Sequence, residues 1–79
     1  MQIKVQYYAL LRDQAGRREE TIETAAHNPA EIYEELKTRY KFSLDRDRLR
    51  VAVNTEFAGW TQTLKAGDTV VFIPPVAGG

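Results

Sequence analysis

Near the N-terminus the segment QIKVQYY alternates, with Ile3, Val5 and Tyr7 set against Gln2, Lys4 and Gln6. A period of two marks a strand with one dry and one wet face, so the pattern predicts an opening β-strand. The alternation stops in ALLRDQAG, where residues that favour helix run up to Gly16. That stretch reads as a short helical turn or a structured loop. In RREETIET, Thr21 and Ile22 fit a second strand paired with the first, and the charges from Arg17 to Glu20 suit a sheet edge.

The clearest helical signal is NPAEIYEELKTRY. Asn28 is a capping residue, Pro29 takes the first helical position, and Glu31 follows the cap by three residues, as a capping box requires. Ile32, Tyr33, Leu36 and Tyr40 draw one apolar stripe along this helix, and Glu35 and Arg39 form an i,i+4 pair worth about 0.3 kcal/mol. A helix of about a dozen residues is marginal alone in water, so packing must hold it.

Beyond the helix, FSLDRDR alternates in sign and reads as a solvated loop. LRVAVN places Leu49, Val51 and Val53 on one side of a strand and Arg50, Ala52 and Asn54 on the other. TEFAGWTQTL is a hairpin region with a short strand, carrying Phe57 and Trp60; Trp60 serves as core or contact, core being preferred. After the KAGD turn, TVVFI is apolar at four successive positions, as a central strand is. The order strand, strand, helix, strand, short strand, strand gives an α+β roll, a small mixed sheet with one main helix on one face. If Val70 and Phe72 face that helix, Ala52, Val71 and Ile73 project from the other side as an apolar patch, the expected partner interface. The domain is expected to span residues 1–73, with 74–79 as a C-terminal tail.

Composition narrows the function. Seventy-nine residues make one domain, and a chain of this size buries only about 60% of its unfolded surface. It has no cysteine, so neither disulfides nor thiolate metal sites supplement the core, and no metal site is expected. Hydrophobic residues make up 43% and charged residues 28%, with no apolar run long enough for a bilayer. The start, MQIKVQYYALLRD, lacks the features of a secretion signal, and a cytoplasmic location is expected. Lys and Arg total eleven, as do Asp and Glu, so there is no overall field for nucleic acid or an anionic membrane surface. With His27 the only histidine and Ser43 the only serine, a self-contained hydrolase or metalloenzyme is not expected.

The last segment, FIPPVAGG, is the unusual one. No charge falls between Thr69 and Gly79; Pro74 and Pro75 stiffen the exit from the last strand, and side chains then shrink through Val76, Ala77, Gly78 and Gly79. Residues 74–79 span at most about 20 Å when extended. Glycines carry a high conformational cost on ordering, so they imply a steric purpose: a tail threaded into a narrow channel with the Gly79 carboxylate at its end. Such a carboxylate becomes an electrophile when activated as an acyl phosphate with AMP. A sulfur nucleophile would then convert it to a thiocarboxylate, a role suited to a protein with no thiol of its own.

The segments YYALLRDQAG, LRVAVNTEF and LKAGDTVVFIPPVAGG together resemble the small, sulfur-carrying subunit of molybdopterin synthase, a ubiquitin-like β-grasp family. The ending is the most specific part; Tyr8 departs from the phenylalanine often found in the family. The resemblance implies a β-grasp fold with an extended Gly-Gly tail and a cycle in several steps. An ATP-dependent activating enzyme, similar to ubiquitin-activating enzymes, would adenylate Gly79, and a sulfur donor would convert it to thioglycine. The tail, with Gly78 as steric companion and Pro74, Pro75, Val76 and Ala77 as its threaded part, would enter the large synthase subunit. There sulfur would pass to cyclic pyranopterin monophosphate to form the dithiolene. Two small and two large subunits would form a heterotetramer, with Ala52, Val71 and Ile73 at the interface. ATP would be used by the activating enzyme, with no cofactor bound to this chain, and acid–base groups would come from the large subunit. The rival readings are a sulfur carrier for thiazole synthesis, a ubiquitin-like protein modifier and a plain β-grasp binding module.

Overall fold

Alternate residues of the first strand disappear into a common interior, and the other elements are arranged around that dry face. In the computed structural model, which describes residues 1–75, the chain runs β1 (Gln2–Tyr7), α1 (Ala9–Ala15), β2 (Glu19–Glu23), α2 (Pro29–Tyr40), β3 (Arg50–Val53), β4 (Glu56–Ala58) and β5 (Thr69–Ile73). The strands form one sheet in the order β2-β1-β5-β3-β4, in which β1 and β5 are parallel and the other pairs antiparallel. β5 is therefore central and β2 is an edge, as their apolar and charged patterns predict.

The segment after β1 is a helix, closed where Gly16 adopts φ +74° and donates its N–H to the carbonyl of Arg12. A left-handed residue at this position lets the chain turn without a Cβ clash. α2 begins as expected, with the Asn28 side-chain oxygen accepting the Glu31 N–H at 2.9 Å. The reciprocal bond departs from a strict capping box: the Glu31 carboxylate accepts from the N–H of His27, one residue before the cap, at 2.6 Å. Ile32, Tyr33 and Leu36 are buried, Tyr40 is half-buried, and Glu35 meets Arg39 at 3.2 Å on the outer side.

The interior is rich in aromatic contacts. Tyr33 packs edge-on to Phe72 at 5.1 Å and stacks with Phe42 at 5.7 Å, while Trp60 lies parallel to Phe72 at 6.0 Å. Trp60 is half-buried at the core rim, and its carbonyl accepts the Ala30 N–H, tying the loop after β4 to the first turn of α2. The segment FSLDRDR is less solvated than its charges suggest. Phe42 is in the core, the Tyr33 hydroxyl donates to the carbonyl of Leu44 at 2.6 Å, and Arg46–Arg48 form a short 3-10 helix. The alternating charges are exposed, but the apolar residues at the two ends, Phe42 and Leu49, fold inward to close the core beneath α2.

One charge faces inward. Glu20 on β2 shares the core face with Ile22, and its Oε2 accepts from the hydroxyls of Tyr7 at 2.6 Å and Tyr40 at 2.5 Å. Arg17 approaches its Oε1 at 3.3 Å and lies 5.7 Å from the centre of the Tyr40 ring. An inward charge on an edge strand disfavours pairing with another chain, and here it also joins β1, β2 and the end of α2. Burial works against the ionised carboxylate. The two tyrosine hydroxyls and the arginines outweigh it and hold Glu20 below the ordinary carboxylate range, while burial and the Glu20 charge push the Tyr7 hydroxyl up.

Because Glu20 is more acidic when folded, its contribution to stability is complete above the unfolded carboxylate pKa and is lost as pH falls through the lower folded value. Glu20→Gln should therefore lower the unfolding free energy at pH 7 by about 1–2 kcal/mol, since hydrogen bonds to a charged acceptor are weakened. It should also flatten the loss of stability on acidification, and urea denaturation across a pH series measures both effects.

Candidate functional site on the outer face of the sheet

Strand register determines what the face opposite α2 presents. One row of paired residues runs Gln6, Val71, Ala52 and Phe57 across β1, β5, β3 and β4, and the adjacent outward row pairs Ile73 with Arg50. Between them, Tyr7, Phe72 and Val51 point into the core. Val71, Ile73 and Ala52 thus share the outer face, as their parity predicts. They differ in height, however. Val71 and Ile73 are half-buried, whereas Ala52 is only 8% exposed, because its methyl group lies low between Val71 and Phe57. Ala52 is a floor, not a projecting contact.

Two larger groups complete the patch. Phe57 is 69% exposed, and Tyr8 is 51% exposed. The Arg50 guanidinium lies 5.3 Å from the centre of the Phe57 ring, a cation–π arrangement that leaves the other ring face to solvent. A concavity of about 770 Å³ is lined by Tyr8, Ala52, Val71 and Ile73, with Gln6, Asn54, Thr55 and Thr69 as its polar rim. The parity of both missed residues was available in the sequence. Tyr8 continues the alternation through Gln6, and a two-residue turn at Asn54–Thr55 necessarily sets Phe57 across from Ala52.

The turn that borders this concavity is firmly anchored. Asn54 has φ +50° and Thr55 φ +74°, the left-handed pair that matches the twist of a two-residue hairpin. The Asn54 side chain donates to Asp68 at 2.9 Å and accepts the Thr69 N–H at 2.9 Å, so the β3–β4 turn is tied to the start of β5. Asp68 also accepts the Lys65 N–H; that bond and the Asn54 amide hold its carboxyl below the usual range.

At the other end of β5, Ile73 is the last strand residue, Pro74 is half-buried and Pro75 is exposed. Val76, Ala77, Gly78 and Gly79 lie outside the described residues. Ser43 is engaged with Gln14: its hydroxyl accepts from the Gln14 amide at 3.0 Å, and its N–H donates back to the Gln14 side-chain oxygen. Among the described residues, no cluster of His, Asp and Glu is arranged to hold a metal.

Residues 5–79 match the ThiS family. The chain belongs to that family. At 36% identity it is similar to a Pyrococcus furiosus protein assigned as molybdopterin converting factor subunit 1, with 96% of this chain and 99% of that one aligned at a TM-score of 0.80. Haloferax volcanii SAMP1 shares the fold at a TM-score of 0.82 and 22% identity over the full length of both chains. So does a Helicobacter pylori chain from the complex of subunits 1 and 2 of molybdopterin-converting factor, at 0.70 and 21% over both full lengths. The mixed five-stranded sheet with its packed helix is the ubiquitin-like β-grasp fold, so this ThiS-family chain presents its apolar face on the sheet surface away from α2.

Thr55 is β-branched and occupies a left-handed conformation that glycine adopts without a Cβ clash. Thr55→Gly should raise stability by about 1 kcal/mol, read as a higher urea midpoint with an unchanged m-value.

Proposed function

We propose that this ThiS-family chain is the sulfur carrier of molybdopterin synthesis, with the carboxyl of Gly79 as its working group. The observation that carries this reading is the 36% identity to molybdopterin converting factor subunit 1 over nearly the whole of both chains. The outer apolar face supports it. β5 ends at Ile73, within that face, and the chain continues directly into Pro74 and Pro75, so a partner seated on Val71 and Ile73 is positioned to receive the tail.

In the proposed cycle, a carboxylate oxygen of Gly79 attacks the α-phosphorus of ATP on an activating enzyme similar to ubiquitin-activating enzymes, releasing pyrophosphate. Hydrosulfide released by the sulfur source then attacks the acyl carbon and expels AMP and a proton, leaving a C-terminal thiocarboxylate. Pro74, Pro75, Val76 and Ala77 thread into the large synthase subunit, where Gly78 and Gly79 fit a channel too narrow for a Cβ. Each thiocarboxylate passes its one sulfur there to cyclic pyranopterin monophosphate, so two are consumed to build the dithiolene, and water cleaves each acyl–sulfur bond to return Gly79 to its carboxylate. The Helicobacter pylori complex joins subunits 1 and 2, which favours the same pairing here. In this reading two small and two large subunits assemble as a heterotetramer in the cytoplasm. No helix among the described residues is long and apolar enough to cross a membrane. The globular domain is a handle and a docking surface, and the acid–base groups for the pterin chemistry belong to the large subunit.

Intact mass spectrometry after incubation with ATP, the activating enzyme and a sulfur source should show one oxygen replaced by sulfur at Gly79. A chain lacking Gly79 should fold normally and gain none. Sulfur found at any other residue would refute the reading. Sulfur transfer to the thiazole acceptor in place of the pterin, or isopeptide conjugates between Gly79 and lysines of other proteins, would assign the chain to a thiazole carrier or a protein modifier.

A further inference from the structure

The apolar concavity does not end at Tyr8. Gln6 and Tyr8 also line a second recess of about 700 Å³, shared with Tyr7, Arg12, Arg18 and Glu19. The two hollows are thus one continuous surface with Gln6 and Tyr8 as the ridge between them. Their chemistry differs. The first is apolar, whereas the second brings together guanidinium groups from two elements, Arg12 on α1 and Arg18 in the turn before β2.

Neighbouring charges in this region are already matched. Arg17 pairs with Glu20 at 3.3 Å, and Lys4 pairs at 3.3 Å with Glu19, which also accepts from the Gln6 amide at 3.4 Å. Among the described residues, no carboxylate lies within ion-pair distance of Arg12 or Arg18. Both side chains are exposed. In a chain whose formal charges sum to zero, two unmatched guanidiniums in one recess form a local field that the overall balance conceals.

We propose that Arg12 and Arg18 form a charged shelf beside the apolar docking face, and that the shelf receives carboxylates of the protein partner that covers Tyr8, Val71 and Ile73. This rests on the reading above, that the outer face docks the large subunit. Guanidinium is planar and presents paired N–H donors, so it matches a carboxylate in two parallel bonds and fixes orientation as well as adding attraction. An apolar patch alone resists sliding and rotation poorly. Charges at its margin fix the register of the complex and speed encounter, which is what a tail that must find a channel requires. The partner's complementary strip is accordingly an apolar side chain for the concavity, followed by two acidic residues above the shelf.

The test is calorimetric titration of the full chain with its cognate large subunit at low and high salt. The variants are Arg12→Gln combined with Arg18→Gln, which keeps side-chain bulk, and Val71→Asp, with circular dichroism to establish folding. The expected result is wild-type affinity that falls as salt rises, a double variant bound about tenfold more weakly with a flatter salt dependence, and binding abolished by Val71→Asp. Equal affinity and equal salt dependence for wild type and double variant would overturn the shelf while leaving the docking face intact. Absence of salt dependence in the wild type would overturn it without any variant. If the wild type neither binds the large subunit nor acquires sulfur at Gly79, the functional reading falls as well. Inorganic phosphate is titrated in parallel by NMR; saturation of the Arg12 and Arg18 resonances at low millimolar phosphate, with large-subunit binding unchanged in the double variant, would overturn the shelf and make the recess a phosphate site instead.

Discussion

The parallel pairing of β1 with β5 is the constraint on which the rest of the structure depends. It joins segments near opposite ends of the sequence, setting Val5 beside Val70 and Tyr7 beside Phe72. Closing so long a loop is entropically costly, and the return comes from placing these side chains, all nearly or fully buried, under α2. The same register has a second effect. Once Val70 and Phe72 face inward, the period of the strand sends Val71 and Ile73 outward, so the core and the outer apolar face are two sides of one decision. A slip of a single residue would exchange them and put the apolar interior in water.

A domain this small has few apolar residues to spend on stability, and it compensates with aromatics. Tyr7, Tyr33, Tyr40, Phe42, Trp60 and Phe72 form a connected set of ring contacts that links both ends of α2 to the sheet. Rings in tilted and edge-on contact add to the energy of burial. The polar ends of these rings are accommodated: Tyr33 donates to a backbone carbonyl, and Tyr7 and Tyr40 donate to Glu20. No buried side-chain polar atom among the described residues is left without a partner. The core therefore has well-defined geometry without any cysteine.

The outer face divides its chemistry by element. β5 and β3 supply the apolar centre, the hairpin supplies Phe57 and its covering arginine, and α1 with the following turn supplies the unmatched guanidiniums. Asn54 links the hairpin to the start of β5 through two hydrogen bonds, so the contributions of distant segments are held in one frame. β5 ends at Ile73 within that frame, so one strand builds both the centre of the core and the centre of the outer apolar face.

Much of this was legible without coordinates. The alternation of β1, the four-residue apolar run of β5, and the Asn28–Pro29–Glu31 start of α2 each give the element observed, because periodicity and capping are local consequences of backbone geometry. Parity alone put Val71 and Ile73 on the outer face. Other features needed the assembled fold. Phe42 lies in a run of charges, and its burial depends on a space left beneath Tyr33. Glu20 reads as one of several surface acids until Tyr7 and Tyr40, from two other elements, close on it. Arg12 and Arg18 become a pair only when the fold sets α1 and the turn before β2 around one recess at the end of β1. The sequence by itself determined which side of each strand is apolar, since that follows from the order of residues. Only the tertiary structure decided which charges are matched, since that depends on groups brought together from far along the chain.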